Sequence, residues 1–199
     1  MKKHILEHFK KVDPKLHSYA VQVGPIELTS STKHFIELCD AIISQQLSVK
    51  AGATIVGRFF DLFPNKTPLP ALVLAQPPEK LRAVGMSNAK VRYVRALAEA
   101  VETGAVDLRS LDAISDAEVI TVLTKVKGIG VWTAEMFLIF SLGREDVFSA
   151  GDLGLRRAIQ KIYSLRSEPS PKKLATLSKK WAPYRSYASR ILWKSLELK

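Results

Sequence analysis

The stretch KGIGVWTAEM, Lys127–Met136, decides how this sequence folds, because two glycines two residues apart directly precede a strongly apolar segment. Glycine tolerates left-handed backbone angles and lets another backbone approach closely. The first N–H groups of the following helix point outward, where the helix macrodipole is positive. Lys125 and Lys127 flank the turn and add attraction for phosphate. The stretch therefore predicts either a phosphate-binding hairpin or an ordinary turn between two helices.

Composition restricts the class of protein. The 199 residues are 47% hydrophobic, which is enough for a packed core, and the formal net charge of +11 favours a polyanionic partner such as nucleic acid. No apolar run approaches the roughly 20 residues of a membrane span, and the N-terminal segment lacks the apolar centre of a signal peptide. We expect no membrane association and a cytoplasmic protein, nucleoid-associated in a prokaryote. The single cysteine, Cys39, excludes an internal disulfide, and we expect neither a cofactor nor a side-chain metal site.

Apolar residues recur with a period of 3.6 almost throughout, so the sequence predicts an all-α fold. We expect one compact unit over residues 1–199, which two helical lobes around a cleft could form, with a helix-hairpin-helix at about 116–142. A capping box, Ser115 with Glu118, marks the start of its first helix. Further predicted elements are a helix at 5–12, a loop at 21–30, a helix at 33–47 capped by Thr32, and a helix at 131–142 buried on nearly every face.

Three motifs resemble one family. Residues 123–159, LTKVKGIGVWTAEMFLIFSLGREDVFSAGDLGLRRAI, resemble the helix-hairpin-helix, glycine/proline-rich loop and aspartate of the DNA base-excision glycosylase superfamily. WAPYRSYASRILW, Trp181–Trp193, and AIISQQLSVKAG, Ala41–Gly52, are similar to the alkylpurine branch, the 3-methyladenine DNA glycosylase II family. The resemblance implies the helix-hairpin-helix glycosylase fold without the optional N-terminal β-domain. It also implies a monomeric base-excision repair enzyme that flips 3-methyladenine or 7-methylguanine out of double-stranded DNA and hydrolyses the N-glycosidic bond.

Asp152 is the candidate catalytic residue. Cleavage of the N-glycosidic bond develops positive charge on the deoxyribose, and a fixed carboxylate stabilises that charge and positions or deprotonates water. The alternative is that Asp152 only caps the helix that follows it, a frequent role of aspartate. Its place in the matched motif favours catalysis, and the two roles are compatible. No motif surrounds Asp107 or Asp146, so neither is a preferred candidate.

Aromatic residues are the candidates for the base pocket. By resemblance, Trp132 occupies the position where strand-cleaving glycosylases carry a lysine, and indole cannot form a Schiff base. Trp132 and Trp193 match positions that line the pocket, where each would favour a cationic alkylated purine by about 0.5–2 kcal/mol. Met136 stands where relatives often have an aromatic residue. The alternative for both tryptophans is ordinary core packing.

The resemblance also assigns DNA contacts. Gln45 faces the base pocket, and Gln46 or Leu47 is the wedge that fills the gap left by the flipped nucleotide; the alternative is a solvated helix end. Phosphate is held by N–H groups of the hairpin, and a monovalent cation could bind main-chain carbonyls behind it. The residues matched to phosphate are Gly128, Gly130 and Thr133, and those matched to the cation are Thr124, Val126 and Ile129.

Two other functions remain open. The same scaffold could act on deaminated or oxidised bases, or the protein could be a DNA-binding module without catalysis. A binding module has no use for Asp152, so this residue separates the enzyme from the module. Other basic residues carry less information: Arg156 and Arg157 fit a solvated face, and diffuse attraction for DNA explains Lys172, Lys173, Lys179 and Lys180.

Overall fold

The computed structural model describes residues 1–198, which contain α-helices, one short 3-10 turn at Pro64–Lys66 and no strand. The predicted all-α class is therefore confirmed. The helices are α1 (Lys3–Val12), α2 (Pro14–Val23), α3 (His34–Ser44), α4 (Val49–Phe60), α5 (Pro70–Ala75), α6 (Pro78–Ala83), α7 (Asn88–Glu102), α8 (Asp116–Thr124), α9 (Val131–Phe140), α10 (Leu153–Ile162), α11 (Pro171–Trp181) and α12 (Arg185–Ser195).

The chain divides into two compact units. The first consists of Met1–Ser30 together with the chain from Leu138 onward, and the second is Ser31–Phe137. The first unit contains α1, α2 and α10 to α12, with the last residues of α9. The second unit contains α3 to α8 and most of α9.

Three helices of the first unit end around one buried carboxylate. Asp13 is 5% exposed and accepts hydrogen bonds from the Leu16 N–H (3.2 Å), the Trp181 indole N–H (2.9 Å) and the Tyr163 hydroxyl. Burial and the neighbouring Asp13 raise the pKa of the Tyr163 hydroxyl, which keeps its proton and remains a donor. Because Asp13 follows α1, Tyr163 follows α10 and Trp181 ends α11, the C-terminal ends of these helices lie close together. An apolar core, including Phe9 and Ile191, surrounds this junction.

Polar side chains cap the N-termini of several helices. Ser115 and Glu118 form the predicted capping box at the start of α8. The side chain of Ser87 caps α7, and that of Ser48 caps α4. Each cap satisfies N–H groups that the first helical turn leaves without a partner.

Some predicted boundaries were wrong. Residues 21–23 belong to α2, because Pro14 starts a new helix at its first turn instead of ending helical structure. Thr32 is not the cap of α3: Lys33 takes that position without a side-chain hydrogen bond. The helix also stops at Ser44, three residues before the expected end, since Gln45 is extended and Gln46 has a φ of 58°.

The predicted buried helix is buried only in its middle. Ala134, Phe137 and Leu138 of α9 are at most 3% exposed, whereas Trp132 is 46% exposed and Phe140 47%. An apolar sequence therefore has exposed aromatic residues near both ends, which favours contact with a ligand. Within residues 1–198, no helix combines the length and hydropathy needed to cross a membrane.

Candidate active site

Asp152 lies at the N-terminus of α10 in the first unit and is 8% exposed. Its Oδ1 accepts hydrogen bonds from the Leu155 N–H (2.7 Å) and the Trp193 indole N–H (2.9 Å). The first bond is the helix cap that the sequence left open as an alternative. The second bond comes from a residue 41 positions away and is not part of capping. Capping alone therefore does not account for the surroundings of this carboxylate.

Trp193 is held in place from two sides. Its ring stacks on Phe140, with centroids 5.6 Å apart and planes 27° from parallel, while its N–H bonds Asp152. The Arg190 guanidinium lies 4.9 Å from the centroid of Phe140, and burial lowers the pKa of Arg190. The predicted base-pocket role of Trp193 remains a prediction. The structure adds that its indole orients the candidate catalytic carboxylate.

Gly154 permits the hydrogen bond between Asp152 and Trp193, and no sequence motif indicated this role. A Cβ at Gly154 would lie 3.1 Å from Asp152 Oδ1 and 3.1 Å from Trp193 Cδ1. Such contacts are tighter than ordinary van der Waals packing, so a side chain here would displace the hydrogen-bonded pair. A sequence signal existed, because glycine inside a helix destabilises the helix by about 1 kcal/mol relative to alanine, so its presence indicates a packing or functional requirement.

The other acids weighed as alternatives have local partners. The Asp146 carboxylate accepts hydrogen bonds from Nε and Nη2 of the Arg185 side chain, at 2.7 and 2.9 Å, and from the Arg185 backbone N–H at 3.2 Å. Burial alone would raise the pKa of Asp146, but the hydrogen bonds and charge of Arg185 outweigh it and lower the pKa. Asp107 pairs with Arg109 at the surface. Both carboxylates are therefore engaged by arginine side chains, Asp146 by one 39 positions away and Asp107 by one two positions away.

In the second unit, Gly128 is the glycine that the hairpin requires. Its φ is 100°, and a Cβ placed on it would lie 2.2 Å from Cγ of Tyr93 in α7. The turn between α8 and α9 therefore needs both a left-handed residue and the absence of a side chain at this point. Tyr93 packs where that side chain would be.

Gly130 differs from Gly128. Its φ lies outside the left-handed region, and a Cβ placed there would meet no atom within 4 Å among the described residues. The turn itself therefore does not require glycine at position 130. Neither Gly128 nor Gly130 uses its N–H for a hydrogen bond to any group in the described part of the chain. Lys125 and Lys127 are exposed on either side of Val126.

Gln45 connects the end of α3 to the hairpin. Its amide nitrogen donates to the Gly128 carbonyl at 2.9 Å and to the Thr133 hydroxyl at 3.3 Å. Thr133 is 4% exposed, whereas Gln45 and Gly128 are partly exposed. The role of Gln45 in the base pocket remains a prediction, and the structure adds a bridging role that no sequence pattern indicated.

The two wedge candidates, Gln46 and Leu47, follow Gln45 directly in the sequence. Gln46 is exposed and adopts a φ of 58°, which a residue with a side chain rarely does. Leu47 is 37% exposed and Val49 is 92% exposed. Strained backbone next to exposed apolar side chains is typical of a functional loop.

Trp132 and Met136 are placed one turn apart on α9, as their spacing predicts. Trp132 is 46% exposed, and Met136 is partly buried. These residues and Gln45 belong to the second unit, whereas Asp152 and Trp193 belong to the first.

A cavity of about 560 Å³ opens beside the hairpin in the second unit. Three of its lining residues belong to α7 or to the cap of α7 and were not predicted to be site residues: Ser87, Lys90 and Tyr93. Burial lowers the pKa of Lys90. Only the fold brings this helix to the hairpin, since residue 90 and residue 128 are far apart in sequence. The cavity is lined by Gln45, Gln46, Ser87, Ala89, Lys90, Tyr93, Gly128, Ile129 and Gly130.

The hairpin carbonyls are compatible with the cation that the resemblance implies. The Val126 carbonyl accepts the Ile129 N–H at 3.0 Å, which closes the turn. A carbonyl oxygen has two lone pairs, so this bond leaves one for a cation. The hydroxyl of Thr124 is bonded to the Ile120 carbonyl, and its own carbonyl belongs to the last turn of α8. Cation binding remains a prediction.

The helical fold, the glycine hairpin between α8 and α9 and the carboxylate at the start of α10 define a helix-hairpin-helix protein of the DNA-repair type. The sequence model of the HhH-GPD superfamily of base excision DNA repair proteins matches residues 39–183, and the chain belongs to this family.

Relatives and solved structures agree with this assignment. DNA-3-methyladenine glycosylase 1 of Schizosaccharomyces pombe is 37% identical over 81% of this chain and 72% of its own length. The S. pombe 3-methyladenine DNA glycosylase Mag1, solved in complex with abasic DNA, superposes with a TM-score of 0.89, 33% identity and 98% coverage of both chains. The DNA-3-methyladenine glycosidase of Bacillus halodurans has a TM-score of 0.85 and 36% identity, covering 99% of this chain and 90% of that one.

Proposed function

We propose that this protein is a monofunctional DNA glycosylase of base excision repair that removes alkylated purines, 3-methyladenine and 7-methylguanine, from double-stranded DNA. The observation that carries this proposal is the buried Asp152 carboxylate, held by the Leu155 and Trp193 N–H groups in a chain of the HhH-GPD family. A DNA-binding module without catalysis has no need for a carboxylate oriented in this way.

Asp152 acts on the sugar of the flipped nucleotide. As the glycosidic bond breaks, positive charge develops on the deoxyribose, and the carboxylate stabilises that charge and directs water to the anomeric carbon. The two N–H donors restrict the orientation of the carboxylate before substrate binds, which reduces the reorganisation needed in the transition state. An alkylated purine carries positive charge and is a good leaving group, so it needs little protonation.

Water is the nucleophile. By resemblance, the position of Trp132 is the one where strand-cleaving glycosylases carry a Schiff-base lysine, and indole has no amine. Lys125 and Lys127 precede the hairpin, so they are assigned to phosphate and not to the sugar. The product is an abasic site in an uncleaved strand.

The hairpin holds a phosphate of the DNA backbone. The N–H groups of Gly128 and Gly130 are unused within the described chain, and Thr133 lies in the first turn of α9, where N–H groups lack helical partners. Since neither φ nor packing within the protein demands glycine at Gly130, close approach of a phosphate from outside explains this residue. A monovalent cation at the carbonyls of Thr124, Val126 and Ile129 would add positive charge behind that phosphate.

The exposed loop after α3 supports extrusion of the base. Gln46 or Leu47 fills the space that the flipped nucleotide leaves in the duplex, and Trp132, Met136 and Gln45 contact the extruded base. The 46% exposure of Trp132 leaves indole surface on which a cationic purine can stack.

The proposal is tested by base release from duplexes that each contain one damaged base. Wild-type protein is expected to release 3-methyladenine and 7-methylguanine and to leave an alkali-labile abasic site. Borohydride added during the reaction is expected to trap no protein–DNA adduct, because no amine attacks the sugar.

Two outcomes would contradict this. Release of hypoxanthine or an oxidised purine without release of alkylpurines would keep the enzyme class and overturn the substrate. A borohydride-trapped adduct would overturn the hydrolytic mechanism, and lysine variants would then identify the amine.

The indole N–H of Trp193 offers a narrower test. Trp193→Phe keeps a ring to stack on Phe140 but removes one donor to Asp152. A hydrogen bond to a charged group contributes about 1.5–3 kcal/mol, so we expect the single-turnover rate of base release to fall by about tenfold or more. The Kd for abasic-site DNA is expected to stay within about twofold. Phe140→Leu, which keeps the indole N–H, is the matched control, and an equal loss in both variants would argue for packing alone.

A further inference from the structure

We propose that the exposed face of α11 is a second DNA-contact surface, which binds backbone phosphates outside the nucleotides engaged by the hairpin. This inference rests on the proposed function, because it takes duplex DNA as the partner. The surface is called the α11 lysine stripe and consists of Lys172, Lys173, Lys179 and Lys180.

The spacing of the lysines places them on one face. Lys172 and Lys179 are seven residues apart, as are Lys173 and Lys180, so each pair is separated by nearly two full turns. At 1.5 Å per residue, the two pairs lie about 10.5 Å apart along the helix, which is about three base pairs of duplex. All four side chains are exposed, and the opposite face of α11 is buried through Leu174, Leu177, Ser178 and Trp181.

The charge of the stripe is not neutralised locally. The sequence of α11, PKKLATLSKKW, contains four lysines and no acidic residue. None of the four lysines forms an ion pair with a carboxylate in the described part of the chain. Glu168, which precedes the helix, is paired with Arg156 instead. The stripe therefore presents uncompensated positive charge.

Helix stability explains only half of the stripe. Lys179 and Lys180 lie in the last turn, where cations interact favourably with the macrodipole. Lys172 and Lys173 lie in the first turn, next to the positive end of the dipole, where cations are unfavourable. A ligand with negative charges along the whole helix accounts for both pairs.

The stripe also has a definite position relative to Asp152 within the first unit. Near its start, α11 lines a cavity of about 670 Å³ together with Ala150 and Gly151, the two residues before Asp152. At its end, Trp181 bonds Asp13, where α10 also ends. The start of α11 therefore lies near the residues that precede Asp152, and its end lies at the Asp13 junction, where α10 also ends. A duplex strand leaving the candidate active site can follow this direction.

A further pair of lysines extends the surface. Lys10 and Lys11 are exposed in the last turn of α1, and α1 ends at the same Asp13 junction as α11. They have no ion pair within residues 1–198. The end of α1 therefore adds two exposed lysines near the Asp13 junction, at which α11 ends.

The test is the salt dependence of binding to an undamaged 30-base-pair duplex, measured by fluorescence anisotropy. Each lost phosphate contact lowers the slope of log Kd against log salt by about 0.9. Substitution of all four stripe lysines by glutamine is therefore expected to lower the slope by about 2–4 and to weaken binding at least about tenfold at low salt. A fourfold Lys→Arg variant is expected to keep the wild-type slope.

The matched control removes the same charge elsewhere. Substitution by glutamine of the exposed residues Lys2, Lys3, Lys33 and Lys80 is expected to change the slope by less than about 1. The proposal would be overturned if the slope and the affinity of the stripe variant change no more than those of this control. An acidic protein partner or a contribution to solubility would then explain the four lysines. Single-turnover base release at saturating protein is a separate measurement, expected to be unchanged in the stripe variant. If wild-type protein releases no damaged base, the proposed function would be overturned, but the proposal that the stripe binds DNA would not.

Discussion

Asp152→Asn is expected to reduce the single-turnover rate of base release by about 10²–10⁴-fold while leaving the protein folded. Asparagine is neutral, so it neither stabilises the developing charge on the sugar nor deprotonates water. It is about as good an N-cap as aspartate, and its amide oxygen can still accept the Leu155 and Trp193 N–H groups. The substitution therefore separates the chemical role of Asp152 from its capping role.

Three measurements check this result. The rate of 7-methylguanine release gives the catalytic loss, thermal unfolding gives the stability, and the Kd for abasic-site DNA gives the binding. Asp152→Ala is the matched comparison, because it should lose the same activity and additionally about 1 kcal/mol of stability with the cap. A rate for Asp152→Asn within threefold of wild type would rule out Asp152 as the catalytic residue.

Gly128→Ala is expected to destabilise the protein by about 2–5 kcal/mol and to abolish most DNA binding. The new Cβ would overlap the ring of Tyr93, 2.2 Å from its Cγ, and alanine would be forced into a φ of 100°. Left-handed strain costs about 1–3 kcal/mol, and overpacking costs a similar amount. The midpoint of thermal unfolding is expected to fall by about 5–15 °C.

Gly130→Ala is the matched control, two residues away. Its Cβ meets no described atom within 4 Å, so the unfolding free energy is expected to change by less than about 0.5 kcal/mol. Duplex affinity is nevertheless expected to fall, because the methyl group occupies the space of the approaching phosphate. Equal stability losses in both variants would contradict the distinction between the two glycines. Unchanged DNA affinity in Gly130→Ala would remove its N–H from the phosphate contacts.

The helices themselves followed from local chemistry. The 3.6-residue period, the Ser115–Glu118 capping box and the Ser87 cap act within a few residues, so a linear sequence contains them in full. The same holds for the position of Asp152 directly before α10. The loop predicted at 21–30 was wrong for residues 21–23, because Pro14 occupies the first turn of a helix whose Leu16 and Ala20 pack into the core.

Contacts between distant residues were beyond the reach of the sequence. Nothing in the spacing shows that Trp193 donates to Asp152, that Gln45 bonds the Gly128 carbonyl, or that Tyr93 packs against the hairpin. Each of these contacts joins residues at least 35 positions apart, and their side chains have other possible partners of the same chemistry. Burial of the apolar helix faces determines which helices pack against each other, and this packing determines which side chains come into contact.

The linear order of residues was thus sufficient for the all-α class, the hairpin and its flanking charges, since propensity, capping and charge are properties of short segments. The choice of Asp152 came from its place in the matched motif, and its catalytic role stays a prediction. The orientation of the Asp152 carboxylate, the different surroundings of Gly128 and Gly130, and the meeting of the ends of α1 and α11 at Asp13 emerged only from the folded chain. These features depend on distances across the core, which packing of the helices determines as a whole.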